Sequence, residues 1–204
     1  CALLGGEICG MPEVYKSGDY DLAGFAVGVC ELKRIVDGQH CEAGHVILGL
    51  GSSGVHSNGF TLARAIVREG ELDLDAPYPE LESPQTLGRV LLEPTRIYAR
   101  PIMRVLHHYR VKKPVSGMSH ITGGGLPGNV KRALGSHLNA RIQLDSWPVP
   151  PLFGFLQKHG AVQREEMFKV FNMGIGYVLI VRPHFVESIA AQLRQMGQAV
   201  HLLG

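Results

Sequence analysis

Val46-Ile47-Leu48-Gly49-Leu50-Gly51-Ser52-Ser53-Gly54-Val55-His56-Ser57-Asn58-Gly59 is the stretch that decides the fold: an apolar run of strand character breaks into a turn rich in glycine and hydroxyl groups. Beyond it, Leu62, Ala63, Ile66 and Val67 recur at the three- and four-residue spacing of one buried helix face, which ends at Gly70. Asn58 or Ser57 stands where a helix cap is expected. The whole reads as a β-turn-α unit. A second copy of the pattern follows. A short strand over residues 115–121 leads into Thr122-Gly123-Gly124-Gly125, and residues 126–134 return to helical spacing.

Outward from these two units, strand character is expected at 22–32, 138–144 and 176–181, and the apolar run 199–204 also reads as a strand. Helices are expected at 86–108, with Pro101 kinking or restarting the chain, and at 151–159 and 184–196. Residues 71–85 hold three prolines and five acidic residues and read as a surface loop. Leu91, Leu92, Ile97, Val105, Leu106 and Trp147 are expected in the core. The alternation of strands and helices predicts an α/β layer architecture. The polar joint 33–44, containing Asp37-Gly38, divides the chain into segments 1–37 and 38–204. The chain opens at Cys1 rather than Met, directly into an apolar run, and it reads as a fragment of a longer protein.

Twenty Lys and Arg against eighteen Asp and Glu give a formal charge of +2, which argues against a nucleic-acid partner. No apolar run is long enough to span a bilayer and nothing at the start reads as a signal peptide, so a cytoplasmic protein without a membrane partner is expected. Cys1, Cys9, Cys30 and Cys41 form no C-x-x-C pair, and the ten histidines form no zinc motif. Neither a disulfide framework nor a structural metal is expected.

Chemistry concentrates in the two glycine turns. Glycine lets the backbone approach an anion while the N–H groups of the following helix's first turn point at it, so a phosphate-bearing ligand is the natural guest of 51–59 and 120–125. In open α/β sheets such turns lie at the carboxyl ends of strands, which would bring both to one crevice. A plain pair of tight turns is the competing reading. Gly49-Leu50-Gly51-Ser52-Ser53-Gly54 also fits the dinucleotide pattern G-x-G-x-x-G, with Asp73 and Asp75 about twenty residues on. Against this, Val55-His56-Ser57-Asn58 delays the helix, and 72–74 makes a poor second strand. No Gly-Lys-Ser/Thr follows any glycine run, which excludes a Walker A loop.

Several motifs occur in order: Gly5-Gly6-Glu7, Met11-Pro12, Asp19-Tyr20-Asp21-Leu22-Ala23-Gly24-Phe25, Gly51 to Gly59, Pro94-Thr95-Arg96-Ile97-Tyr98, His120-Ile121-Thr122-Gly123-Gly124-Gly125 and Phe171-Asn172-Met173-Gly174. Together they resemble the phosphoribosylformylglycinamidine cyclo-ligase (AIR synthetase) family of purine biosynthesis, and the resemblance runs the length of the chain. It implies a remnant of an N-terminal ATP-binding domain at 1–37 followed by a layered α/β C-terminal domain at 38–204. The implied reaction uses ATP and Mg2+ to cyclise formylglycinamidine ribonucleotide to aminoimidazole ribonucleotide, releasing ADP and phosphate. The implied assembly is a homodimer, and the fragment alone is expected to be inactive.

Carried over position by position, the resemblance makes His56 and Asn58 the catalytic candidates. Ser52, Ser53, Gly54, Ser57 and Gly59 of the first turn, His120, Thr122, Gly123, Gly124 and Gly125 of the second, and Asn172 would bind substrate or phosphate, and Glu7 would hold Mg2+ or ATP. Each has a plainer reading: Glu7 as a solvated carboxylate, Ser57 or Asn58 as a helix cap, His120 as a strand-end histidine, Asn172 as a turn-former. The chain departs from the family at Gly10 and Gly128, where glutamate is usual, and at Lys131, where proline is usual. Competing readings are another phosphate-handling enzyme of the superfamily, of the selenophosphate synthetase or thiamine-phosphate kinase type, or a non-catalytic binding module.

Overall fold

The computed structural model describes residues 2–204, which fall into two units, one up to Lys33 and one over Arg34–Gly204. In the first unit a turn carries backbone bonds from Val14 and Tyr15 N–H to the Met11 carbonyl (3.0 and 2.9 Å), and Tyr15 Oη donates to Asp21 Oδ2 (3.2 Å). The strand expected at 22–32 is not formed. Its alternating apolar side chains stand in solvent, with Phe25 95% and Val29 101% exposed. A strand needs a neighbour to satisfy its backbone, and among the described residues no ladder partner reaches this segment.

The second unit is a mixed α/β layer structure. Its strands are β1 (Val46–Gly51), β2 (Val115–His120), β3 (Ile175–Val181) and β4 (Val200–Leu202), in the order β2-β3-β1-β4 with every neighbouring pair antiparallel. The helices are α1 (Phe60–Glu69), α2 (Leu87–Leu91), α3 (Ala99–His108), α4 (Gly125–Ala133), α5 (Pro151–His159), α6 (Arg164–Val170) and α7 (Val186–Gln195). Strand side chains alternate between two cores. Ile47, Ile175, Val178 and Ile180 pack with Ala63, Leu126, Phe153, Leu156, Met167 and Phe171 on one face. Leu48, Leu50, Leu179 and Val181 pack with Tyr98, Ile102, Val105, Ile189 and Leu193 on the other.

This topology positions the site. Because β3 lies between β1 and β2 and runs opposite to both, β1 and β2 run the same way without touching, and their carboxyl ends leave the sheet at one edge. At that edge the β1–β3 register passes from Leu50↔Tyr177 to Gly51↔Ile175, leaving Gly176 as an extra residue in a bulge.

Several expectations are corrected. The single helix over 86–108 is two, because the chain around Pro94 is irregular from Glu93 to Tyr98; Pro101 lies in the first turn of α3 and kinks nothing. In consequence Leu92 and Ile97 face solvent, whereas Leu91, Val105 and Trp147 are buried. The strand expected at 138–144 is not formed, although Gln143 N–H donates to the Leu203 carbonyl (2.7 Å). The seven-residue α6 was not foreseen. The surface loop 71–85 contains a 3-10 turn at Pro79–Leu81 that buries Leu81. Within the polar joint, Cys41 is 2% exposed and its thiol lies against the Ala133 carbonyl at the end of α4. Gly49 lies inside β1, Gly51 ends it, and α1 begins only at Phe60, so the dinucleotide pattern has no strand-to-helix turn within it.

Candidate functional site

Two glycine turns leave the same sheet edge and meet. The His56 and His120 ring centroids are 6.3 Å apart, and Asn58 Oδ1 lies 3.7 Å from where a side chain on Gly123 would begin. Each turn ends in a left-handed glycine that serves as the helix N-cap, Gly59 (φ 94°) for α1 and Gly124 (φ 93°) for α4. Neither helix has a side-chain cap, so Asn58 and Ser57 do not act as caps. The first helical bonds are Ala63 N–H to Gly59 O and Gly128 N–H to Gly124 O; ahead of them the amides of Phe60, Thr61 and Leu62 in α1 and of Leu126 in α4 are directed out of the helix ends, whereas Gly125 N–H donates to the Thr122 carbonyl (3.0 Å) and Pro127 has none. Both ends open on a cleft of about 590 Å³ whose walls include Asn58, Gly59, Thr61, Gly123, Gly124 and Lys169. Lys169 reaches Glu166 at 3.8 Å on the exposed side of α6. The arrangement joins two positive helix-dipole ends to an ammonium group whose partner, Glu166, lines the same cleft.

The first turn is held from outside itself. Asn172 is 4% exposed and all of its amide is used: Nδ2 donates to the carbonyls of Gly54 (2.8 Å) and Val55 (3.0 Å), and Oδ1 accepts from Ser52 Oγ (2.9 Å) and Gly174 N–H (2.8 Å). A buried side chain so engaged shapes the loop and has no donor left for a ligand. Ser52 is thereby turned toward Asn172, and Ser53 Oγ donates to the Pro94 carbonyl (2.6 Å). Gly54 is buried beneath Glu93 and Val90, and Ser57 Oγ is 3.4 Å from Thr95 Oγ1 on the exposed rim.

His56 sits at the centre of this turn, 5% exposed and with φ 63°, a left-handed backbone that a side-chain-bearing residue adopts only when its surroundings hold it there. Nε2 faces two backbone donors, Ser53 N–H at 3.1 Å and Arg96 N–H at 3.5 Å. Nε2 is therefore the bare acceptor and the ring proton is on Nδ1, which is buried with no partner among the protein atoms. Burial, His120 and Arg96 push its pKa down to about 4. At neutral pH the ring is therefore uncharged, with Nδ1–H as its remaining donor. His120, more open to solvent, is also shifted downward by burial. Its ring stacks on Tyr177 (centroids 6.1 Å, 24°).

The second turn is held from within its own helix. Asn129, 2% exposed, donates to the carbonyls of Thr122 (3.1 Å), Gly123 (3.3 Å) and Gly125 (2.8 Å), and its Oδ1 accepts from Thr122 Oγ1 (3.2 Å). Arg132 donates to the Gly123 carbonyl (3.2 Å). Thr122 is thus tied to Asn129. Gly125 is required by packing, since a side chain there would strike the Phe168 carbonyl of α6. Gly123 and Gly124 remain exposed at the cleft.

Glu7 lies in the first unit, exposed. Among the described residues no three His, Cys, Asp or Glu side chains are grouped to hold a metal ion. Gly176, expected from its motif to allow close packing, does so against Tyr98 and His56; Tyr98, Asn129, Arg132 and Lys169 belong to the site or its supports and were assigned no role from the sequence. Tyr98 stood in a quoted motif; the other signals emerge only when α4 and α6 are brought to the sheet edge.

The family model for AIR synthase related proteins, C-terminal domain, matches residues 42–204, and the chain belongs to that family. It is 48% identical over its full length to the phosphoribosylformylglycinamidine cyclo-ligase of Bacillus velezensis and 46% identical to that of Bacillus subtilis strain 168. The enzyme of the same name from Bacillus mycoides is 48% identical over 205 aligned residues. The chain spans 57–58% of the length of these curated relatives.

Proposed function

We propose that the protein to which these residues belong catalyses the ATP-dependent closure of formylglycinamidine ribonucleotide to aminoimidazole ribonucleotide, with release of ADP and phosphate. In this reading the 38–204 domain carries the sugar-phosphate half of the site, and residues 1–37 are a remnant of an ATP-binding domain. The observation that carries it is the meeting, at one sheet edge, of two helix N-termini that have no side-chain cap, within a chain closely similar to enzymes named for that cyclisation. Helix-end amides and Lys169 would draw a ribonucleotide's phosphate to the cleft, where it would replace the lining carboxylate of Glu166 as the partner of Lys169. Asn58 and Gly123 line the passage between the turns, and His56 offers a neutral N–H donor from a dry position, which suits an oxygen gaining negative charge.

The described residues do not by themselves suit Mg2+ or the ATP phosphates, since Glu7 is a lone exposed carboxylate and no three-residue cluster is present among them. The work assigned to this chain is accordingly binding and orienting the ribonucleotide. The family's homodimer and a cytoplasmic location belong to the same proposal; no helix among the described residues is long and apolar enough to cross a membrane. Calorimetric titration of the 204-residue chain with formylglycinamidine ribonucleotide is expected to show one site at which inorganic phosphate competes. The same sample with Mg-ATP is expected to release no ADP above background. Absence of ribonucleotide binding would overturn the assignment of the cleft, and turnover by this chain would overturn the division of labour.

A further inference from the structure

Tyr98 connects the two backbone donors that face His56. Its hydroxyl donates to the Gly51 carbonyl (2.8 Å), the last of β1 and two residues before Ser53, whose N–H donates to His56 Nε2. Its own backbone lies two residues after Arg96, whose N–H is the second donor to that nitrogen. The side chain is 5% exposed, and its ring lies 6.2 Å from that of His56 and 5.9 Å from that of His120. Room for the hydroxyl exists because residue 176 in the β3 bulge is glycine; a side chain there would strike Tyr98 Oη and meet His56 Cε1 at 2.6 Å.

Pro94 to Tyr98 therefore straps the first glycine turn at three points: Ser53 Oγ to Pro94 O, Ser57 Oγ to Thr95 Oγ1, and Tyr98 Oη to Gly51 O. Of the three, only the tyrosine bond is wholly buried, and it alone fixes the strand end from which the turn departs. The Arg96 donor, at 3.5 Å, is already near the limit of a hydrogen bond and is the first to be lost if the strap slides.

We propose that Tyr98 is a positioning residue that locks His56 into the single neutral tautomer with bare Nε2, so that Nδ1–H is held ready as a donor within the site. This rests on the reading of His56 as a substrate-facing residue, but the lock itself is a property of the free protein. Without the tyrosine hydroxyl, Gly51 and Arg96 can move apart, Nε2 loses its paired donors, and the proton redistributes between the two nitrogens.

The test is nitrogen-detected NMR of the histidine rings in the 204-residue chain and in Tyr98→Phe, followed through a pH titration. The unaltered chain is expected to show His56 with Nδ1 protonated and Nε2 bare, and to stay uncharged well below pH 6. In Tyr98→Phe the two tautomers are expected to mix and the His56 midpoint to rise, because donors to the bare Nε2 oppose its protonation, while His45 and His201 titrate as before. Those two rings report that the fold is intact. If Tyr98→Phe does not fold, Ser53→Ala, which releases another strap point, is expected to give the same change in smaller measure. An unchanged tautomer and midpoint in a folded Tyr98→Phe protein, or in Ser53→Ala where that is the folded variant, overturns the lock. The readout needs no substrate, so a failed lock is distinguishable from failed ribonucleotide binding.

Discussion

The two glycine turns end alike but are built differently. The first, between β1 and α1, takes its shape from partners remote in sequence: Asn172 across 117 residues, Tyr98 across 47 and Pro94 across 41. The second, between β2 and α4, is held by Asn129 and Arg132 of the helix it opens. Their donor supply differs too. The first turn of α1 carries the amides of Phe60, Thr61 and Leu62, whereas α4 has Pro127, which lacks an N–H, at the matching place. A self-contained turn and a turn assembled by the tertiary fold thus form one edge, with the assembled one bearing the larger share of backbone donors and the buried imidazole.

The largest effect expected from this contrast is that of Asn172→Ala. It leaves the carbonyls of Gly54 and Val55 without donors inside the protein and frees the Gly174 amide, a loss on the order of 3–4 kcal/mol in denaturant unfolding. Asn129→Ala is expected to cost less, about 1–2 kcal/mol, because the carbonyls of exposed Gly123 and half-buried Thr122 can turn to water. Equal losses would break the distinction between an assembled and a self-contained turn.

Acid comes next. The folded pKa of His56 is about 4 against an ordinary 6.5, so the unfolded chain takes up the proton first as pH falls. The stability this ring contributes is complete above pH 6.5 and is lost between 6.5 and about 4, on the order of 3 kcal/mol for His56. The downward shifts of His45, His120 and His201 act in the same direction. Urea midpoints measured at half-unit steps check this, and a flat profile from pH 7 to 4 would contradict it. The smallest effect on folding is expected from Gly123→Ala, whose new methyl group would find its nearest neighbour, Asn58 Oδ1, at 3.7 Å. Stability within about 0.5 kcal/mol but weaker ribonucleotide binding would assign that glycine to the ligand. Gly124 is a poorer probe, since φ 93° strains any side chain there.

What could be read from the sequence follows the same division. Both β-turn-α units were legible because strand, glycine turn and helix are contiguous, and the second turn's ligand-facing glycines needed no remote information. Their meeting at one edge was legible only as an expectation for open sheets; the strands prove antiparallel, and it is the intervening β3 that makes β1 and β2 parallel to each other. Asn172 stood out as part of a motif, yet its task of tying down Gly54 and Val55 depends on contacts across more than a hundred residues. The strand expected at 22–32 shows the reverse error: Phe25, Val27 and Val29 alternate as a strand should, but alternation supplies no partner for the backbone. Periodicity reports which face would be buried; pairing is decided elsewhere.

The central claim is that the two turns form one anion site. Its most direct test is an amide NMR titration of the 204-residue chain with formylglycinamidine ribonucleotide, with inorganic phosphate as a parallel probe. The amides of Phe60, Thr61 and Leu62 in α1 and of Gly123, Gly124 and Leu126 at the second turn are expected to shift together, with one midpoint and one stoichiometry. Shifts confined to one turn, or two sets with separate midpoints, would contradict it.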